Sequence, residues 1–259
     1  MLTFQGWLTD IAPAWVYDLP HGLQNFLFQL YQTFIYQDRW TWYTNGLKIT
    51  FIVTLGALCL GVIIGMAVAV VRTAHDSQRA GRRNPLLGLV DRLCRLYLTV
   101  IRGTPMMVQL LISCYVIMIP KDDLGRLICG IVTLGVNSGA YVAEIARSGL
   151  MSVSGGQMEA GRSLGLSYAQ TMRYIIIPQA IKNILPALGN EMIVLLKDTS
   201  LVAIISLRDV TKQTQNIVAV TFSTFVPNIS LALIYLVIVV LLTKLLGIFE
   251  RRLRASDQR

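Results

Sequence analysis

The stretch Ile49–Val71 is the feature that most constrains how this chain folds. It contains no charged residue, and it exceeds the roughly 20 apolar residues that an α-helix needs to cross the hydrocarbon of a bilayer. Lipid offers no partner to backbone N–H and C=O groups, so a spanning segment of this kind must be helical. The whole chain has the same character, since 54% of its 259 residues are hydrophobic and 14% are charged. We therefore predict an all-α integral membrane protein.

Four further apolar stretches predict four further spans, at Leu96–Ile119, Leu127–Ala146, Ile181–Ser206 and Ile229–Phe249. Short loops rich in Lys and Arg lie on the cytoplasmic side of a membrane. Arginines cluster between the first two spans and after the fifth: Arg72, Arg79, Arg82, Arg83, Arg92 and Arg95, then Arg251, Arg252, Arg254 and Arg259. The sequence thus predicts a five-span transmembrane helical bundle with its N-terminus outside and its C-terminus in the cytoplasm.

The predicted bundle occupies residues 44–251, between an N-terminal segment (1–43) and a cytoplasmic tail (252–259). The first 38 residues lack Lys and Arg, which disfavours a secretory signal. Aromatic residues such as Trp7, Trp15 and Phe26 make this segment typical of an interfacial helix at the outer leaflet, bracing the first span. Five spans enclose too little for a solute path, so we expect the chain to oligomerise.

Several function classes are disfavoured by the sequence. The net charge of +9 follows from the loop arginines, which are not interleaved with aromatic residues, so we expect no nucleic-acid partner. The four cysteines lack metal-ligand spacing. His21 and His75 are the only histidines and lie far apart, so we predict neither a metal site nor catalytic residues.

The polar stretch Ser152–Pro178 separates the third and fourth predicted spans and carries more helix signals than a simple loop needs. Ser154 with Gln157, and Ser167 with Gln170, each fit the capping-box pattern. These signals predict two short helices in the cytoplasm.

The first of these helices is predicted from about Gly155 to Leu164, and the second from Ser167 to Pro178. Gly165 ends the first because glycine adopts the left-handed conformation at little cost. Met158, Gly161 and Leu164 recur at a spacing of three residues and give the first helix one apolar face. The small residues on or beside this face are Ala160 and Gly161. Such a face suits docking against another protein.

Part of the same stretch, Gly156–Ser163, is one residue away from a phosphate-binding GxxxxGK[ST] loop. Arg162 stands where that loop needs lysine, and no buried strand leads into it. ATP hydrolysis is therefore expected on another chain.

The stretch closely resembles the loop signature EAA-x3-G-x9-I-x-LP of bacterial ATP-binding-cassette (ABC) importer permeases of the type I, MetI-like kind. Glycine replaces the third-position alanine and isoleucine the leucine; the matching residues are Glu159, Ala160, Gly161, Gly165, Ile175, Ile177 and Pro178. Flanking pieces are similar to the polar-amino-acid subfamily: Arg102–Pro105, Val108–Leu110, Gly139–Ile145 and Lys197–Ser200. The resemblance extends from about Thr44 to Arg251.

The resemblance implies a five-span bundle whose loop forms the coupling helices that contact a cytoplasmic ABC ATPase, with Ala160 and Gly161 allowing close approach. It also implies a second permease chain, an extracytoplasmic solute-binding protein, a polar amino acid as substrate, and a location in the bacterial inner membrane. This chain would bind no cofactor, because ATP and Mg belong to the ATPase. One alternative is a channel or ion-coupled carrier that works without an ATPase. Another is that the loop lies on lipid headgroups, although such a helix would carry flanking Lys or Arg.

Polar residues within the spans are the remaining candidates. Arg102 and Glu144 share a depth near the cytoplasmic side, so we predict an ion pair. The pair would have a structural or gating role, or would contact the substrate directly. Pro105 should kink the second span beside Gly103 and offer a hinge.

The fourth span is interrupted by Pro186 and Gly189, and an interrupted span is typical of a substrate path. Lys197 would meet the carboxylate of an amino acid, and Glu191 or Asp198 its ammonium. Neutral hydrogen bonds would come from Asn137, Ser138, Asn190 and Thr199. Alternatively, Lys197 and Asp198 satisfy each other. Gly61 and Gly65 form a GxxxG pair that predicts close helix packing, within the chain or at a dimer interface.

Overall fold

The computed structural model describes residues 2–78 and 84–255. Arg79, Arg82, Arg83 and Arg259, which contributed to the predicted orientation, lie outside the described residues, as do the side chain of Arg254 and positions 256–259. The described residues form helices and turns with no β-strand, which confirms the all-α prediction. The α-helices are α1 Phe4–Asp10, α2 His21–Leu30, α3 Trp40–Asp76, α4 Pro85–Gly103, α5 Met106–Ile112, α6 Asp123–Met151, α7 Gly155–Ser163, α8 Tyr168–Thr171, α9 Ile177–Asp198, α10 Val210–Thr221 and α11 Phe225–Ala255.

Three of these helices, α3, α6 and α11, are long and apolar enough to cross a membrane. The pair formed by α4 and Met106–Met118 makes a fourth if a bent pair counts as one span. The helix α9 is outside this set, because it carries charged residues such as Lys182, Glu191 and Lys197. Length and composition therefore identify three or four spans in the described part of the chain. The count of five and the orientation stay predictions.

The centre of the fold is the contact between α3 and α6. A Cβ added at Gly65 would lie 2.6 Å from Val142 Cβ, and one added at Gly61 would lie 3.0 Å from Ser138 Cβ. Both glycines are buried, so the two helices approach to backbone distance. The GxxxG pair thus serves packing within the chain, which decides between the two interpretations left open by the sequence.

The second predicted span consists of two separate helices. α4 begins at Pro85, ends at Gly103, and is bent by 107° from the segment Met106–Met118. The kink predicted at Pro105 is confirmed. Gln109 Nε2 donates to the carbonyl oxygens of Ile101 (2.7 Å) and Thr104 (3.1 Å), so the break leaves these carbonyls paired.

The helical path of the polar stretch continues into α9. The prediction that its second helix stops at Pro178 is wrong, because α8 passes through a π-helical turn, Met172–Ile176, directly into α9. Pro178 lies in the first turn of α9, where a missing N–H is tolerated. The path from Tyr168 to Asp198 is therefore helical throughout. The interruption of the fourth span predicted at Pro186 and Gly189 is wrong, because α9 continues through both residues and Gly189 allows close packing against Leu246 of α11.

The N-terminal segment is a small unit with its own aromatic core. α1, the 3₁₀ turn Ala14–Asp18 and α2 pack around Trp7, Val16 and Phe28. Ser223 Oγ donates to Gln29 Oε1 at 2.9 Å, which joins this unit to the connection between α10 and α11. The segment thus contains more than the single interfacial helix that its aromatic residues predicted.

Candidate functional site

Helices α7 and α8 form a hairpin, here called the α7–α8 hairpin, together with the turn at Gly165 and the π-helical turn Met172–Ile176. Gly165 has φ +85°, a left-handed conformation that favours glycine, so the predicted helix end is confirmed. The capping box at the start of α8 is complete: Ser167 N donates to Gln170 Oε1 (2.8 Å), and Gln170 N donates to Ser167 Oγ (3.3 Å). These local bonds fix the shape of the hairpin.

The box predicted between Ser154 and Gln157 does not form. Instead, Gly156 N donates to Ser154 Oγ at 3.3 Å, so the hydroxyl still caps α7. The backbone N–H of Gln157 donates to the Ser154 carbonyl.

The interior of the hairpin corrects the expected role of Gly161. This glycine is buried, and a Cβ there would lie 2.6 Å from Thr171 Cγ2 and 3.1 Å from Ile175 Cδ1. Gly161 therefore allows α7 to pack against the second half of its own hairpin, whereas the resemblance implied close approach of a partner. Leu164, predicted on the same apolar face, is 81% exposed, so docking of this residue against another protein stays a prediction.

The outer face of the hairpin is formed by Glu159, Ala160, Leu164 and Gly165, all exposed. Each helical residue turns the side chain by about 100°, so Glu159 lies nearly opposite the buried Gly161. In the EAA motif, Ile175 lies partly inside the hairpin, while Ile177 and Pro178 are exposed. The motif thus divides into residues that build the hairpin and residues that present a surface.

Arg102 at the end of α4 forms the predicted ion pair with Glu144 of α6. The Arg102 guanidinium also lies 5.4 Å from the ring centroid of Tyr141, within the range of a cation–π contact. A Cβ added at the neighbouring Gly103 would meet no heavy atom of the described residues within 4 Å. The pair therefore lies beside an open break in the chain, and its gating role stays a prediction.

The structure joins three of the candidate path residues with one that the sequence did not single out. Ser138 Oγ donates to Glu191 Oε1 at 2.7 Å, and Asn137 Nδ2 donates to Gln109 Oε1 at 3.0 Å. Side chains from α5, α6 and α9 thus form two adjacent polar links. In the sequence, Gln109 is a lone amide in the apolar run after Pro105. This signal could have identified it as a candidate residue.

The other candidates are arranged differently. Thr199 is buried, and its hydroxyl donates to the Leu196 carbonyl at 2.6 Å. Asn190 and Lys197 are exposed, and Asp198 is partly buried. Within residues 2–78 and 84–255, no hydrogen bond joins Asn190, Lys197 or Asp198 to the remaining candidates.

At the opposite end of α3 and α6 from the hairpin lies a cavity of about 660 Å³. Arg126, Arg208 and Lys212 line it. Asp123 lies 2.8 Å from Arg126 Nη1 and 3.9 Å from Arg208 Nε. Three cations line the cavity and Asp123 lies beside two of them, so the lining carries a net positive charge. The sequence analysis did not predict that these basic residues converge.

Asp209, beside this cavity, caps α10 by accepting from Thr211 N (3.0 Å) and Lys212 N (2.9 Å). Burial raises the pKa of this carboxyl to about 6, although its backbone hydrogen bonds act in the opposite direction. Among the residues described, no three His, Cys, Asp or Glu side chains converge on a possible metal site.

Comparison with known proteins places this geometry in a family. Residues 80–255 match the family described as binding-protein-dependent transport system inner membrane component. The glutamine transport system permease protein GlnP of Escherichia coli (strain K12) is 34% identical over 212 residues, covering 81% of this chain and 92% of GlnP. The arginine transport system permease protein ArtQ of Bacillus subtilis (strain 168) is 33% identical over 214 residues, covering 82% of this chain and 93% of ArtQ.

Solved structures agree. A crystal structure of an amino acid ABC transporter with histidines matches with a TM-score of 0.73 and 42% identity, over 82% of this chain and 94% of that chain. The MetNI methionine ABC transporter in an inward-facing conformation shares the fold, with a TM-score of 0.64 and 17% identity over 81% of this chain and 95% of that one. The predicted fold class, that of type I ABC importer permeases, is confirmed. The chain belongs to the family of binding-protein-dependent transport system inner membrane components and is a multi-pass membrane protein.

Proposed function

We propose that this chain is the permease subunit of an ABC importer for polar amino acids in a bacterial inner membrane. A separate cytoplasmic ATPase binds ATP and Mg and drives transport, and this chain has no catalytic role of its own. The observation that carries the proposal is the exposed outer face of the α7–α8 hairpin, on a chain whose relatives include glutamine and arginine permeases.

The chemistry of that face favours a protein partner. Leu164 exposes most of its side chain at the tip, and Glu159 lies near the start of α7, where the helix dipole stabilises a negative charge. A helix held on lipid headgroups would carry basic residues beside a bulky apolar face. Arg162 is also exposed on α7, but the acidic Glu159 with its small neighbours, Ala160 and Gly165, suits a groove in the ATPase better than a lipid surface.

The substitution Gly165→Asp tests this coupling role. It forces a side chain into the left-handed conformation and adds a charge at the docking tip, so we expect ATP-driven uptake of labelled glutamine and arginine to be abolished. Gly22→Asp, in the first turn of α2 and outside the hairpin, is the matched control and should keep wild-type uptake, because a Cβ there meets no atom of the described residues within 4 Å and an acidic residue is favoured at a helix start. Membrane insertion should be intact in both variants.

Normal uptake by the Gly165→Asp variant would contradict the docking role. A pull-down distinguishes the importer from an ATPase-independent channel or carrier. If the chain is an importer subunit, the wild type retains a nucleotide-hydrolysing partner in the pull-down, and the Gly165→Asp variant loses it.

The positive cavity supports a second partner, the extracytoplasmic solute-binding protein. Its cations come from α6, from the connection before α10, and from α10 itself. A surface of this charge complements acidic residues and increases the rate of encounter. A second permease chain, identical or related, completes the path, because one bundle of this size encloses too little space.

For the substrate path we propose Glu191, linked to Ser138, as the contact for the ammonium group, and Lys197 as the contact for the carboxylate. Further partners for the substrate are the neutral side chains of Asn137, Asn190 and Thr199 and the carboxylate of Asp198. Glu191→Gln keeps the shape of the side chain and removes its charge, and Lys197→Met does the same for the cation.

Each substitution is expected to raise the KM for uptake several-fold while docking of the binding protein, measured separately, is unchanged. If both KM and the maximal rate match the wild type, these two residues do not contact the substrate.

A further inference from the structure

Asp91 on α4 is a buried carboxylate surrounded by basic groups from two helices. Its side chain is 2% exposed. Arg95 Nε lies 2.7 Å from Asp91 Oδ2, His75 Nδ1 lies 3.6 Å from the same oxygen, and Arg72 Nε lies 3.8 Å from Oδ1. A buried charge of this kind is stable only with such partners. Asp91 therefore holds α4 against the end of α3.

The cluster around Asp91 is incompletely hydrogen-bonded. Asp91 Oδ1, Arg72 Nε and His75 Nδ1 are buried and find no hydrogen-bond partner among the described residues. Leaving buried polar atoms unpaired costs free energy, so these three atoms do not hold α4 on α3 through hydrogen bonds among the described residues. The contact between α3 and α4 at Asp91, here called the joint, could therefore change its pairing.

A chain of polar contacts leads from this joint to the α7–α8 hairpin. His75 Nδ1 lies 3.6 Å from Asp76 Oδ1, and Asp76 Oδ2 lies 3.1 Å from Arg147 Nη2 on α6. One residue beyond the end of α3, Ser77 Oγ lies 2.9 Å from the hydroxyl oxygen of Tyr168 on α8.

A cavity of about 440 Å³ lies between the hairpin and the ends of α3 and α6, lined in part by Asp76, Ser77 and Met158. Because this space is not filled by apolar side chains, the bond between Tyr168 and Ser77 directly ties the two regions together. This bond therefore connects α8 with the end of α3, close to the Asp91 cluster.

We propose that Tyr168, Ser77 and Asp91 are positioning residues that transmit movement of the hairpin to α4. α4 is one helix from Pro85 to Gly103, so Asp91 and Arg102 lie about 16 Å apart along it at 1.5 Å per residue. A shift at the Asp91 cluster would therefore reach the Arg102–Glu144 pair and the break at Pro105. This inference rests on the proposed function, and it names a route that the EAA motif does not include.

The test uses the complete transporter, with its copurified ATPase and binding protein, in liposomes. The quantity measured is the number of glutamine or arginine molecules transported per ATP hydrolysed. We expect Tyr168→Phe and Asp91→Asn each to lower this ratio at least threefold, with ATP hydrolysis in the absence of binding protein unchanged. A merely structural defect would lower both activities together.

Two control variants make matched changes outside the route. Tyr174→Phe removes the hydroxyl of a 65% exposed tyrosine in the same hairpin, and Arg92→Gln changes the charge next to Asp91. Both should keep the wild-type ratio. Ser77→Ala combined with Tyr168→Phe should lower the ratio no further than Ser77→Ala alone, because Ser77→Ala removes both the bond to Tyr168 and the bond from Ser77 Oγ to the Thr73 carbonyl (2.7 Å).

The outcomes separate the two proposals. If the wild type shows no ATP-driven uptake, the proposed function fails. If the wild type transports and Tyr168→Phe keeps its ratio, or the controls lower the ratio equally, the positioning role is overturned. Should Asp91→Asn fail to fold, Tyr168→Phe decides alone, since Tyr168 is 42% exposed and its ring is retained.

Discussion

The contact between α3 and α6 and the junction between α4 and α5 use glycine in opposite ways. At the first, Gly65 is buried where a Cβ would collide with Val142. At the second, Gly103 has open space around it, and the chain turns by 107°. Glycine thus closes one region and leaves the other free. The comparison indicates that α3 and α6 form a rigid platform. It also indicates that α4, with its junction to α5, forms a movable element, here called the arm.

The largest expected effect is on the platform. Gly65→Ala places a methyl group 2.6 Å from Val142 Cβ, and overpacking of this kind costs about 2 kcal/mol of unfolding free energy. Gly103→Ala is the matched change in the arm and should be neutral or slightly stabilising, because alanine favours a helix over glycine. Thermal unfolding of both variants in detergent measures the difference. Equal effects would mean that the two regions do not differ in rigidity.

The next effect concerns the arm. Arg102 and Glu144 are each close to half exposed, and exposed ion pairs contribute about 0–1 kcal/mol to stability. Arg102→Gln should therefore barely change the melting temperature but lower ATP-driven uptake about fivefold, roughly 1 kcal/mol on the transport barrier. The exchanged pair, Arg102→Glu with Glu144→Arg, should recover part of the uptake. A large fall in melting temperature with Arg102→Gln would place the pair in the platform instead.

The smallest expected effect is a pH-dependent change in stability at α10, a helix that packs against α3 of the platform. A Cβ at Gly46 of α3 would lie 2.7 Å from Val210 Cα, so α10 packs tightly against α3, and Asp209 caps it. The pKa of Asp209 is raised to about 6, above the ordinary value of about 4. The protonated form is therefore favoured by folding, and its stabilisation is lost as the pH rises through 6.

Unfolding free energy should accordingly fall by about 1 kcal/mol from this group between pH 5 and pH 7. Asp209→Asn keeps a capping oxygen and removes the titration, so its pH profile should be flatter over that range. Denaturation in detergent at several pH values measures this. An unchanged slope in the variant would show that Asp209 does not titrate there.

Several features decided by neighbouring residues were predictable from the sequence, although the capping box of Ser154 with Gln157 did not form. The capping box of Ser167 with Gln170, the turn at Gly165 and the break at Pro105 depend on bonds or steric limits within about four positions. Each of them is present in the structure.

Features decided by packing between distant helices were not. Whether Gly161 faces a partner or its own hairpin depends on where Thr171 lies, and no local signal fixes that. The Asp91 cluster needs α3 and α4 to meet across a connection, so its charges looked like ordinary loop residues. Hydropathy likewise cannot decide whether α9 spans the membrane, because its charged residues lower the apolar average whether or not neighbouring helices cover them.

The π-helical turn before α9 has a mechanical consequence. Residues 168–198 are helical without an intervening loop, which corresponds to about 45 Å at 1.5 Å per residue. If Pro178 had ended the hairpin, a flexible connection would separate the proposed docking face from Glu191. With the π-turn, a tilt of α8 by about 5° would displace the far end by roughly 4 Å, if the helix stayed straight. The fold therefore connects the proposed docking face and the proposed substrate path by one continuous helical segment.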